Sequence, residues 1–234
     1  MYSDASYGGI GGWSPDFHFM WRVMHTDLRR FGFPLRDPTA TSQHPPPIEG
    51  DYLHINPLEF LALVVNIWLA TVLTRTAPSR VGGYVLHALA DNTTALSWLK
   101  HAATSDNSSV RYWARLASAL LVDIASHHAT LTADHIQGKL NTGADILSRL
   151  VNGSAPTWAY VTSQCSALAT TRIYLLPSRL FSILADIVSS TWTEALSEKA
   201  MIELRTLEPT ILPLGSMPGA LVSTIVEPCT TPTL

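Results

Sequence analysis

The feature that most constrains the fold is the alternation of strand-like and helix-like segments between residues 82 and 149. Apolar runs at 82–90 and 129–136 predict buried strands, and helical spacing of apolar residues predicts helices over 92–102 and 109–128. Strands that alternate with helices usually pair in parallel. This half of the chain therefore predicts a parallel arrangement with helices covering the sheet.

The first 24 residues predict strands of another kind. The glycine-rich run 8–12 suits a tight reversal or bulge between antiparallel strands, and the aromatic, apolar run 17–24 predicts a further strand. The predicted fold class is therefore α/β, a mixed sheet with antiparallel first strands and parallel later strands, flanked by helices.

A long helix is predicted between these two groups of strands. Asn56 is a suitable cap, Pro57 suits the first helical position, and Glu59 follows three residues after the cap. The apolar run 60–73 contains about 14 residues, whereas a membrane span needs about 20. We therefore expect a buried core helix and no membrane partner.

A composition change suggests a boundary near residue 153. All nine histidines precede residue 136, both cysteines follow residue 164, and Gly153, Ser154 and Pro156 favour a loop. We predict one domain over 1–152 and a C-terminal extension over 153–234 that is partly helical and disordered after about residue 207. Within the extension, 173–189 is predicted helical around Pro177, and Thr191 with Glu194 suggests a capped helix.

The overall composition excludes some classes of protein. Apolar residues make up 47% and charged residues 14%, which favours a globular chain over a disordered one. A net charge of −3 gives no basic footprint for non-specific nucleic-acid binding. Two cysteines are too few for a disulfide framework, which favours an intracellular, reducing location, cytoplasmic or nuclear.

Four acidic residues occupy similar places in the predicted elements. They are Asp4 in the first strand, Glu59 in the first turn of the long helix, Asp91 after a buried strand, and Asp145 in the first turn of a helix capped by Asn141. Sites in open α/β sheets form at the carboxyl ends of the strands, so we expect these carboxylates to converge. Clustered carboxylates need a cation between them, and magnesium prefers oxygen ligands. Two such ions about 4 Å apart can drive phosphodiester cleavage.

Each acid also has a purely structural interpretation. Glu59 can complete a capping box, Asp91 can cap its own helix, Asp145 can complement the helix dipole, and Asp4 can be a turn residue. None of these interpretations explains the local sequences around all four residues.

Those local sequences are similar to a known set of motifs. Residues 3–6, 56–62, 90–95 and 135–149 resemble, in order, the motifs of the ribonuclease H domain of retrotransposon reverse transcriptases. The last contains Asn141-x-x-Ala144-Asp145-x-Leu147-Ser148-Arg149, which resembles gypsy-type and tyrosine-recombinase retroelements. The resemblance covers about residues 2–150 and implies a ribonuclease H-like fold.

The resemblance also implies an activity. Asp4, Glu59, Asp91 and Asp145 would be the catalytic, metal-binding carboxylates of a nuclease that uses two Mg²⁺ ions, with Mn²⁺ as a substitute. The implied substrate is the RNA strand of an RNA–DNA hybrid during retroelement reverse transcription, and the implied partner is the reverse transcriptase module of the same polyprotein. His135 occupies the place of a histidine that helps product or metal leave, although a histidine that ends a strand is often structural.

Polar residues near the acids are candidates for substrate contact. Because the 2′-hydroxyl distinguishes RNA from DNA, Ser6, Asn92 and Asn141 are predicted to read it. Lys139 is predicted to contact a phosphate.

The sequence leaves an alternative open. Only Met1 and Tyr2 precede Ser3, so the first strand is expected to be truncated relative to the family and the chain to be a fragment or a decayed copy. The alternative is a catalytically inactive remnant or connection domain that acts as a scaffold beside a polymerase. A transposase or integrase of the same fold matches less well, because its last acid is typically Glu where this chain has Asp145.

Overall fold

The structure, a computed structural model, describes residues 1–35, 53–76, 83–101, 108–187, 194–212 and 223–226. Its strands are Tyr2–Ser6 (β1), Gly9–Ser14 (β2), Phe19–Met24 (β3), Tyr84–Ala90 (β4), Ala129–His135 (β5), Arg172–Pro177 (β6), Thr210–Ile211 (β7) and Ile225–Val226 (β8). Its helices are His25–Arg30 (α1), Ile55–Thr76 (α2), Thr93–His101 (α3), Ser108–Ser126 (α4), Thr142–Ser148 (α5), Trp158–Gln164 (α6), Ser178–Asp186 (α7) and Glu194–Thr206 (α8).

The strands form one mixed sheet in the order β5-β4-β1-β2-β3-β6-β7, with β8 paired to β6. β1, β2 and β3 are an antiparallel meander, whereas β1, β4 and β5 are parallel neighbours. The predicted fold class is therefore confirmed. The layout is consistent with a ribonuclease H-like sheet.

Glycines in β2 let helices approach both faces of the meander. A Cβ atom built on Gly11 would lie 2.6 Å from Leu147 Cβ of α5, and one on Gly12 would lie 2.4 Å from Asn66 Oδ1 of α2. The sequence predicted a reversal at this run. The structure adds that two of its glycines are needed for close packing.

The helix α2 lies in the main core. It is long and apolar enough to cross a membrane, but 94% of its apolar window is buried inside the protein. Its Asn66 accepts a hydrogen bond from Trp21 Nε1 at 2.8 Å and donates one to Tyr2 O at 2.8 Å. These bonds fix α2 against β1 and β3, which sets the position of Glu59.

The predicted start of α2, Pro57 after Asn56 as cap, was wrong by two residues. The helix begins at Ile55, so Glu59 lies beyond its first turn. Asn56 is not the cap, because it lies within the helix and its Oδ1 accepts a hydrogen bond from Asn92 Nδ2 at 2.9 Å. Because Asn92 lies far from Asn56 in the sequence, the residues around Asn56 do not predict this hydrogen bond.

Two apolar clusters lie on the sheet. The larger contains α2, α4 and α7, including Phe60, Trp113 and Phe181. The smaller packs Trp13 of β2 against Leu147 of α5 and also contains Val161 of α6. The helix α5 therefore has its own apolar support, distinct from that of α2.

The segment after residue 153 differs from the sequence prediction in several places. Residues 172–177 form β6, which pairs in parallel with β3, and a helix begins only after Pro177. The prediction of disorder after about residue 207 is wrong for β7 and β8, which both pair with β6. Thr191 lies outside the described residues, so its predicted capping role stays a prediction, as does the domain boundary near residue 153.

Candidate metal centre

The sheet register brings Asp4 and Asp91 side by side. Tyr2 of β1 pairs with Leu89 of the parallel strand β4, so the acids follow two residues later on each strand. Glu59 enters from α2, which packs against β1. Each of the three acids offers a carboxylate oxygen, and these atoms lie within 4.8 Å of one another. Three of the four predicted ligands therefore meet beside the middle of β1, just beyond the carboxyl end of β4.

Glu59 is buried in an unfavourable setting. Its side chain is 5% exposed, and its Oε2 has no hydrogen-bond partner among the described residues. Burial raises the pKa of the Glu59 carboxyl to about 9, and the charges of Asp4, Asp91 and Asp145 add to this, opposed by a hydrogen bond from the Ala5 backbone. In the absence of a cation, Glu59 therefore holds a proton at neutral pH.

Asp4 is also buried, at 4% exposed. Burial raises the pKa of its carboxyl to about 6; a hydrogen bond donated by Ser148 Oγ to Asp4 Oδ2 opposes this rise, and the charges of Asp91 and Asp145 add to it. Ser148 lies at the end of α5, so this bond joins α5 to β1. It also fixes the orientation of the Asp4 carboxylate.

Asp145 is placed differently from the other three acids. Its Oδ1 accepts a hydrogen bond from Arg149 Nε at 2.5 Å, one helical turn further along, and the two form an ion pair. Asp145 does not belong to the close group, although its charge contributes to the raised pKa of Asp4 and of Glu59. Asp145, the fourth predicted ligand, is thus near the site, but its carboxylate is paired with Arg149.

A buried arginine holds the end of α5 in place. Arg22 of β3 is fully buried, and its Nη1 donates to Arg149 O at 2.7 Å and to Leu147 O. Burial lowers the pKa of its guanidinium to about 10. Cations favour helix C-termini, where carbonyls lack partners within the helix. The position of Ser148 and Arg149 therefore depends on a residue of another strand.

The segment between β5 and α5 lies against Asp91. A Cβ atom built on Gly138 would lie 3.0 Å from Asp91 Oδ2, so a larger residue would crowd this carboxylate. His135 ends β5 with an exposed side chain beside Ala90, and the close group of acids does not include it. Its predicted role in product or metal release stays a prediction.

Three of the four predicted substrate contacts are engaged in hydrogen bonds within the protein. Ser6 Oγ donates to Ser148 O at 2.8 Å and accepts from Gly8 N. Asn92 Oδ1 accepts from Ala95 N at 3.0 Å, which caps α3. These bonds give Ser6 and Asn92 a structural role.

Asn141 corrects two expectations. It precedes α5 as predicted, but its side chain makes no capping hydrogen bond and its Nδ2 donates instead to Ser3 O at 3.0 Å. It is fully buried, so its position does not support contact with a nucleic acid. Lys139, in a short 3₁₀ helix at Gly138–Leu140, is exposed and stays a candidate for phosphate contact.

Three residues that shape the site were not among the predicted site residues: Ser148, Arg149 and Arg22. The spacing of Asp145 and Arg149, four residues apart on a helix, is a sufficient signal for their ion pair. Ser148 lies in the motif that runs from Asn141 to Arg149. Arg22 had no such signal, because its contact joins β3 to the end of α5.

The donor set suits a hard divalent cation. All the candidate ligand atoms are carboxylate oxygens, the kind that Mg²⁺ and Mn²⁺ prefer. Glu59 Oε2 is buried without a hydrogen-bond partner among the described residues, and a cation bound by the three acids would satisfy it.

Comparisons with protein-family models, with curated proteins and with solved structures found no match to this chain.

Proposed function

We propose that this chain is a metal-dependent endonuclease of the ribonuclease H type that hydrolyses the RNA strand of RNA–DNA hybrids. The observation that carries the proposal is the close group formed by Asp4, Glu59 and Asp91, whose ligand oxygens lie within 4.8 Å of one another. Buried carboxylates repel one another, so such a group is stable in its ionised form only with a cation.

The residues around the group have distinct roles in this proposal. Asp4, Glu59 and Asp91 would hold a divalent cation, and Asp145 would contribute to a second. Two bound ions would lower the pKa of an attacking water and stabilise the leaving oxygen. Ser148 orients the Asp4 carboxylate, and Glu59, whose pKa is raised to about 9 by burial, would have to give up its proton to hold a cation. The exposed Lys139, close in sequence to Gly138, would meet a phosphate at the rim.

The substrate class rests on the sequence motifs. The four acids lie within segments that resemble, in order, the ribonuclease H motifs of retrotransposon reverse transcriptases. That resemblance supports an RNA–DNA hybrid as substrate and a polymerase module of the same polyprotein as partner, within the cell. The absence of a net basic charge indicates that the partner module would supply much of the affinity for the hybrid.

An inactive scaffold is the competing function, and Glu59 argues against it. A buried carboxyl oxygen without a partner costs about 1–3 kcal/mol. A scaffold has no use for a buried carboxyl without a partner, whereas a metal site uses it as a ligand. Proteins tolerate residues that destabilise the fold mainly at functional sites. If Glu59 had no metal-binding role, an apolar residue at this position would make the fold more stable.

The test is cleavage of an RNA–DNA hybrid labelled on its RNA strand, with Mg²⁺ or Mn²⁺. We expect the parent to cut the RNA strand and Asp91→Asn to be at least about 100-fold slower, equivalent to about 3 kcal/mol of lost transition-state stabilisation. Hydrolysis by water leaves no 2′,3′-cyclic phosphate, so the chemistry of the product ends excludes a contaminating metal-independent ribonuclease.

Asp16→Asn is the matched control. It makes the same chemical change at an exposed residue that follows β2, at the end of the hairpin away from Asp4. It should cleave like the parent. Equal cleavage by the parent and Asp91→Asn, or no metal-dependent cleavage by the parent, would overturn the proposed function.

A further inference from the structure

The ion pair on α5 places a protein cation at the edge of the metal site. Arg149 Nε lies 2.5 Å from Asp145 Oδ1, and the two side chains are 63% and 36% exposed. The hydrogen bond with Asp145 raises the pKa of the Arg149 guanidinium, and the charges of Asp145, Asp4 and Asp91 raise it further. One guanidinium therefore interacts with three of the four acids.

The backbone that carries this pair is fixed. Ser148 is bonded to Asp4, and its carbonyl accepts from Ser6 Oγ at 2.8 Å. Arg22 Nη1 is bonded to the carbonyls of Leu147 and Arg149. Because the end of α5 is held on several sides, Asp145 can join the other acids only by turning its side chain away from Arg149.

We propose that Arg149 is a resident counter-cation that competes with the second divalent ion for Asp145. This inference rests on the proposed function, because it concerns how the same site is filled. Asp4, Glu59 and Asp91 already lie together and would hold the first ion, whereas the side-chain hydrogen bond of Arg149 is with Asp145. The second ion would compete with the guanidinium for the Asp145 carboxylate, whose Oδ1 already accepts a hydrogen bond from Arg149 Nε.

The consequence is two unequal binding steps. The first ion binds to a preformed group, whereas the second binds more weakly because it breaks an ion pair and approaches a positive charge. An exposed ion pair is of modest strength, so the competition should weaken the second step by about threefold to tenfold. Arg149 thus sets the concentration of divalent ion at which the site is fully loaded.

The test is a titration with Mn²⁺ alone, in which the free ion is measured by electron paramagnetic resonance. We expect Arg149→Gln to bind the second ion about threefold to tenfold more tightly than the parent. Binding of the first ion should change less. Asp145→Asn should lose the second ion, and adding Arg149→Gln to it should restore nothing.

Arg179→Gln is the control, because it removes an arginine from another exposed ion pair, with Glu203, and changes the net charge equally. Its two Mn²⁺ affinities should match those of the parent. Equal second-ion affinity in the parent and Arg149→Gln, or an equal gain in Arg179→Gln, would overturn the role of Arg149 and leave the proposed function standing. Failure of the parent to bind any Mn²⁺ would overturn both.

Discussion

Glu59 is the residue at which folding stability and the proposed function conflict. Its carboxyl lies buried beside those of Asp4 and Asp91, and burial raises its pKa to about 9. The unfolded chain releases this proton near the ordinary pKa of a glutamic acid, about 4.3. Folding without metal therefore takes up a proton at Glu59 between these two values, so the contribution of Glu59 to the stability of the metal-free protein should fall as the pH rises through this range.

We predict that Glu59→Gln flattens this pH dependence in metal-free protein. In the presence of a chelator, the free energy of unfolding of the parent should fall, relative to that of the variant, by up to about 1.4 kcal/mol per pH unit between about pH 6.5 and 9. Glutamine cannot titrate, so the variant should be less sensitive to pH and more stable than the parent at pH 9. Urea denaturation at several pH values measures this; identical slopes for parent and variant would contradict it.

For single residues, the sequence predicted which acids meet better than it predicted the hydrogen-bond partners of the residues around them. Asp4, Glu59 and Asp91 meet as expected, because strand ends and helix positions fix them. The burial of Asn141 and the pairing of Asp145 with Arg149 were not predicted. Asn141 bonds to Ser3, a distant segment that local patterns do not encode. The pair of Asp145 and Arg149 is local, and its four-residue spacing was a signal that the prediction did not use.

The helix α5 is short, and its position depends on contacts outside itself. Seven residues are too few for a stable isolated helix, so tertiary packing must supply its stability. That packing requires Gly11, where an added Cβ atom would lie 2.6 Å from Leu147 Cβ and 3.0 Å from the Leu147 carbonyl carbon. A side chain at this position would push α5 away from β2.

We predict that Gly11→Ala lowers the free energy of unfolding by about 1–3 kcal/mol, the usual cost of overpacking. It should also weaken Mn²⁺ binding, because α5 carries both Asp145 and the Ser148 that orients Asp4. Urea denaturation and the Mn²⁺ titration measure the two effects. An unchanged denaturation midpoint would show that α5 does not depend on this close approach.

Among the elements, those with strong local signals were predicted and those made by distant pairing were not. The strands β4 and β5 and the helices α3 and α4 lie within two residues of their predicted bounds. Residues 173–177, which belong to β6, were predicted to be helical, because a short apolar run does not distinguish a strand from a buried helix. The two-residue strands β7 and β8 exist only through pairing with β6.

Across the whole molecule, the sheet carries the site beside the middle of β1 and just beyond the carboxyl end of β4. β1 is paired on both sides, with β2 and with β4, so the short first strand holds Asp4 in register. Residues beyond 153 also contribute: Arg22 N donates to Thr224 Oγ1 at 2.9 Å, and β6 covers the far side of β3. The strand that supplies Arg22 to α5 is therefore fixed by a late segment of the chain.

The most direct test of the central claim is anomalous diffraction from crystals of the parent protein soaked in Mn²⁺. The account predicts an anomalous peak enclosed by the carboxylates of Asp4, Glu59 and Asp91, and no such peak in Asp91→Asn crystals soaked in the same way. At higher Mn²⁺ concentration, a second peak beside Asp145 should accompany the release of Arg149. Crystals of the parent with no peak at the three carboxylates would contradict the account.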